Sequence, residues 1–88
     1  MNAPLGRLGD PNRAFWLTRS VARTVGVNLS DAMHEGTLTA ADYAAMVTRC
    51  RMCSDPEGCE LWLAMNGAGA DFAPDDCLNA DVINSLIA

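Results

Sequence analysis

The sequence predicts an all-α fold, a small bundle of four to five short helices around a four-cysteine site. Three observations carry this reading. Apolar residues recur at i, i+3, i+4, i+7 in separate stretches, and no stretch of useful length alternates as a strand would. Helix caps and stop glycines punctuate those stretches (Asp10-Pro11, Gly26, Asn28, Gly36 and Thr39). Four cysteines follow the layout C-x2-C-x5-C-x17-C from Cys50 to Cys77.

Residues 1–9 hold Pro4, Gly6 and Gly9 and read as a flexible lead-in to a single helical domain over 10–88. Asp10 is the expected N-cap of the first helix, with Pro11 at its first position. Ala14, Leu17, Val21 and Val25 form its apolar stripe, widened by Phe15 and Trp16, with Arg19 and Arg23 off its centre. Gly26 suits the stop. Asn28 caps a short second helix with Leu29, Ala32 and Met33 as its apolar face and Gly36 as its end. His34, the single histidine, falls in the last turn of that helix and reads as a surface residue.

Thr39-Ala40-Ala41-Asp42 is a variant capping box with aspartate at the acidic position. The third helix should run from about Ala40 to Arg51, with Tyr43, Met46, Val47 and Cys50 facing inward. Cys53 then shares the face of Cys50 if the last turn holds. Ser54-Asp55-Pro56-Glu57-Gly58 is a turn by composition. The fourth helix should reach Asn66, with Cys59, Trp62, Leu63 and Asn66 inward. After the Gly67–Ala70 link, Phe72 is expected to anchor the chain to the core. Pro74–Cys77 reads as one tight turn, and Asn79 as the cap of a last helix carrying Val82, Ile83, Leu86 and Ile87.

At 88 residues the chain has room for one domain and one modest core, and chains this short often need a staple. A formal net charge of −5 argues against nucleic acid as the main partner. All basic residues are arginine. No apolar leader opens the sequence, and no run approaches the ~20 apolar residues of a membrane span. A cytoplasmic location, where thiols stay reduced, is therefore expected. That setting favours metal over disulfides.

Four thiolates suit zinc or an iron–sulfur cluster better than a hard cation. The expected ligands are Cys50, Cys53, Cys59 and Cys77. Ligands drawn from three segments would tie a short chain together, and binding energy would become folding energy. Zinc folds usually pair one short C-x2-C knuckle with another, whereas Cys59 and Cys77 stand alone, so the zinc pattern is incomplete. The C-x2-C-x5-C segment resembles the last three cysteines of the iron–sulfur loop in the endonuclease III family of DNA glycosylases, over ten residues, a resemblance that implies this spacing can hold three corners of a [4Fe–4S] cluster. Arg49 and Arg51 flank Cys50 and can offset an anionic cluster as cofactor-binding residues.

Other readings stay open. The cysteines can pair as two disulfides, remain buried free thiols, or place a redox dithiol at Cys50 and Cys53. Asp75, Asp76 and Asp81 can be a cation site or plain capping residues. Met33, Met46, Met52 and Met65 read as core filler, and Trp16 and Trp62 as core. There is no phosphate-binding glycine loop, no Ser/His/Asp set and no HExxH, so no enzyme is expected.

The ordered set Gly26-Val-Asn-Leu, Met46-Val-Thr-Arg-Cys-Arg-Met-Cys, Cys59-Glu-Leu-Trp-Leu, Ala73-Pro74 and Cys77-Leu-Asn79-Ala resembles a family of short, functionally uncharacterised bacterial proteins, largely alphaproteobacterial. The resemblance spans about residues 11–88. It implies the domain boundaries and the four-cysteine core, not a reaction. This chain departs from it at Asp76-Cys77-Leu78-Asn79, where Phe-Cys-Pro-Asn is usual.

The expectation is a small metal-binding protein, with an iron–sulfur cluster for electron transfer, redox sensing or a regulatory protein contact. The alternative is a zinc- or disulfide-stapled interaction module. A protein or redox partner fits either, a homo-oligomer is allowed, and neither nucleic acid nor membrane is expected.

Overall fold

A computed structural model describes residues 8–87. It contains five helices: α1 (Pro11–Thr24), α2 (Leu29–Glu35), α3 (Ala40–Arg51), α4 (Pro56–Met65) and α5 (Ala80–Ser85). Among the described residues there is no strand, and no helix is long and apolar enough to cross a membrane.

The helix ends follow local chemistry. The Asp10 carboxylate accepts from Asn12 N–H at 2.9 Å, with Pro11 at a position that needs no donor. At the far end of α1, Gly26 takes φ 86°. This lets Val27 N–H reach Ala22 O at 2.9 Å and Gly26 N–H reach Arg23 O at 3.0 Å, which satisfies carbonyls the helix leaves open. Gly36 ends α2 in the same way. Asn28 caps α2 through Asp31 N–H. The Thr39–Asp42 box is reciprocal, at 3.0 and 3.1 Å. The Thr39 N–H donated to the Asp42 carboxylate, helped by the Thr39 hydroxyl, holds that carboxyl below its usual range.

Packing then sorts the faces. α1 buries Ala14, Leu17, Thr18, Val21 and Ala22, mainly against α3 and also against α4 and α2. Met46 of α3 and Ile83 of α5 are both 0% exposed and sit at the centre of the core. Burial of an apolar side chain of that size contributes about 1.5–3 kcal/mol. Cys59, Trp62 and Leu63 of α4 pack against this core only partly, and no α4 residue is fully buried.

Several expectations are corrected. Trp16 is 56% exposed because the buried arc of α1 is complete without it. Phe72 is 67% exposed, and its small neighbour Ala73 enters the core instead. Asn84 Oδ1 fixes Ala73 by accepting its N–H at 2.8 Å. Met52 and Met65 are exposed, while Met46 is core and Met33 packs partly against it. Of the expected lead-in, residues 1–7 lie outside the described residues. At the described end of that segment, Gly9 N–H donates to Arg51 O at 2.8 Å, and Arg51 Nε donates to Gly9 O at 2.9 Å.

Candidate metal centre

One cavity of about 350 Å³ opens between α1, the C-terminal end of α3, the first turn of α4 and the 74–79 segment. All four cysteines line it, and all four are half-buried free thiols. Cys50 comes from the last turn of α3. Cys53 follows through one tight turn closed by Cys53 N–H to Cys50 O at 3.1 Å. Cys59 lies in the first turn of α4, which Asp55 caps through Gly58 N–H at 2.9 Å. Cys77 sits on a turn closed by its own N–H to Pro74 O at 3.0 Å.

Asn79 locks this last segment to α3. Its Nδ2 donates to Met46 O at 2.8 Å, and its Oδ1 accepts from Arg49 Nε at 2.8 Å. The residue is 2% exposed. It stands at the N-cap position of α5 as expected, but its side chain makes no cap hydrogen bond. Tertiary partners take it instead.

The thiols feel one another. Burial pushes the Cys59 thiol up to about 12, and Cys77, Cys50, Cys53 and Asp76 add to the push. Burial raises Cys77 too, partly offset by a hydrogen bond from the Asn79 backbone. Cys50 is raised by burial and by Cys53, while the Thr18 hydroxyl works the other way. The cavity therefore favours neutral thiols at Cys50, Cys59 and Cys77 until a cation compensates thiolates there. Low-pKa redox dithiols need the opposite environment.

Donor chemistry fits a thiophilic metal group: four thiols from three segments face one space. Their spacing is open. Among the described residues, no three or more His, Cys, Asp or Glu side chains are grouped to hold a metal ion as they stand. A single zinc at 2.3 Å from each sulfur would need the sulfurs about 3.8 Å apart.

The remaining candidates fall outside or at the rim. Arg49 and Arg51 do not line the cavity; their guanidiniums hold Asn79 and Gly9. Asp76 lines it, whereas Asp75 and Asp81 do not. His34 is exposed in the last turn of α2.

Two contributors escaped the sequence reading. Thr18 lies on the buried stripe of α1 and lines the cavity; a polar residue at a core-facing position was the available signal. Its buried Oγ1 makes no hydrogen bond of acceptable geometry, though it lies beside the Cys50 thiol. Such an orphan costs about 1–3 kcal/mol. Arg13 was also missed. It binds Glu60 at 3.0 Å and Glu57 at 3.5 Å, linking α1 to the Cys59 end of α4.

Fold and cavity together define a small all-helical domain with four convergent cysteines. The chain belongs to the family of unknown function DUF6455, which matches residues 5–88. No curated protein and no solved structure gives a significant match.

Proposed function

We propose that this protein binds an iron–sulfur cluster through Cys50, Cys53, Cys59 and Cys77. The observation that carries the reading is the shared cavity: residues far apart in sequence bring all four thiols to one space of about 350 Å³. That space is roomier than one zinc ion needs. A cluster with several irons takes its ligands at separate corners and suits such an arrangement. When bound, the cluster would supply one-electron transfer at a potential the protein sets.

The chain's own residues prepare the place. Asp55 and Pro56 aim the first turn of α4, Asn79 holds the Cys77 turn against α3, and the Cys53 turn keeps the C-x2-C pair together. Loading displaces thiol protons, so uptake strengthens as pH rises. The role is electron transfer, redox sensing or a regulatory contact, not catalysis.

A second reading has its own support. Trp16, Leu61, Met65 and Phe72 are large, apolar and exposed, as in a module that docks a protein partner while zinc staples the cysteines. Iron, sulfide and zinc analysis of protein purified without oxygen separates the two, with an absorbance spectrum on the same sample. About four irons and four sulfides with absorbance near 400 nm support the cluster. One zinc per chain transfers the proposal to the stapled module. Neither metal, even after reconstitution, overturns both.

A further inference from the structure

Thr18 Oγ1 is, among the described residues, the buried side-chain polar atom without a hydrogen-bond partner. Other threonines show what a helical or turn hydroxyl ordinarily does. Thr24 donates to Ser20 O at 2.8 Å, Thr48 to Ala44 O at 3.1 Å and Thr37 to Ala32 O at 3.1 Å. Thr18 is 2% exposed, and no equivalent bond to its own helix forms. Its side chain instead lines the cysteine cavity beside Cys50.

A buried hydroxyl without a partner is costly, and valine would fill the same volume without that cost. A neutral thiol accepts hydrogen bonds weakly. A metal-bound thiolate is a negative acceptor and takes a charge-assisted bond. The orphan thus lies beside a group whose accepting power changes when the cavity is loaded.

We infer that Thr18 is a positioning residue that donates its hydroxyl proton to Cys50 Sγ when that sulfur ligates the cluster. The assignment rests on the cluster reading above. The bond orients Cys50 and favours the more negative, reduced state of the cluster. Outer-shell partners of this kind typically govern metal retention by 10–100-fold, and hydrogen bonds to cluster sulfurs help set the potential.

The test compares wild type, Thr18→Val and Thr18→Ser, each reconstituted anaerobically with ferrous iron and sulfide. Metal-free Thr18→Val should unfold at higher urea than wild type, because it deletes the orphan. Loaded Thr18→Val should lose iron to a chelator about 10–100-fold more readily, at a lower reduction potential. Thr18→Ser should stay near wild type in both. Wild-type potential and retention in loaded Thr18→Val would overturn the Thr18 assignment and leave the cluster reading standing. So would a metal-free Thr18→Val that is less stable than wild type. A wild type that takes up neither iron nor sulfide would overturn the cluster reading and the assignment together.

Discussion

Replacing Asn79 with alanine tests the joint that holds the Cys77 turn against α3. Asn79 is buried, donates to Met46 O and accepts from Arg49 Nε, both at 2.8 Å. A neutral hydrogen bond contributes about 0.5–1.5 kcal/mol, and one to a charged partner about 1.5–3. Arg49 is only half-buried, so water recovers part of its loss. Removing side-chain atoms from a packed position adds a cavity cost. Together these give a destabilisation of about 2–3 kcal/mol for Asn79→Ala. The assay is urea unfolding of the metal-free protein, reading a lower midpoint at unchanged slope. In thermal unfolding the shift is roughly 10–20 °C for a chain of this size. Arg49→Met in a double-mutant cycle with Asn79→Ala should show coupling above about 0.5 kcal/mol. A loss below about 0.5 kcal/mol for Asn79→Ala, or additive variants, would refute the joint as a source of stability.

Three further outcomes follow from the same structure. Gly58→Ala places a methyl group against the Asp55 carboxylate that caps α4; it should cost about 0.5–2 kcal/mol and loosen the Cys59 turn, seen as faster amide exchange over 57–60. The metal-free protein should hold its full cysteine contribution below about pH 9 and lose it as pH rises toward 12. Cys59 ionises near its ordinary value of 9.0 when unfolded but is pushed up to about 12 when folded; the decline should shrink in Cys59→Ala, leaving the contributions of Cys50, Cys77 and Tyr43, which burial also raises. Phe72→Ser and Trp16→Ser should change stability by under about 0.5 kcal/mol, because both side chains are largely exposed; a loss near that of a core residue would refute their placement.

Helix identity was legible because each signal is local. Asp10-Pro11, Asn28 and Thr39–Asp42 satisfy helix donors within a few residues, and Gly26 and Gly36 supply a left-handed turn that other residues resist. Periodicity likewise put Cys50, Cys53 and Cys59 on inward faces, since two helix ends joined by a short turn leave the chain little choice. The all-helical class follows from the same local signals, and family membership from the ordered motifs between Gly26 and Ala80.

Tertiary structure decided what local spacing leaves free. Apolar character does not say which of two neighbouring residues enters the core, so Ala73 is buried beside an exposed Phe72. A cap position does not reserve its side chain, and partners 30 and 33 residues upstream in α3 hold Asn79. Nor does sequence show that Thr18, on an apolar stripe, meets Cys50 across the α1–α3 contact with its hydroxyl unpartnered. The cysteine pattern by itself named four candidate ligands. Only packing made them one cavity, because convergence of Cys77 with the other three depends on long-range contacts that no local propensity encodes.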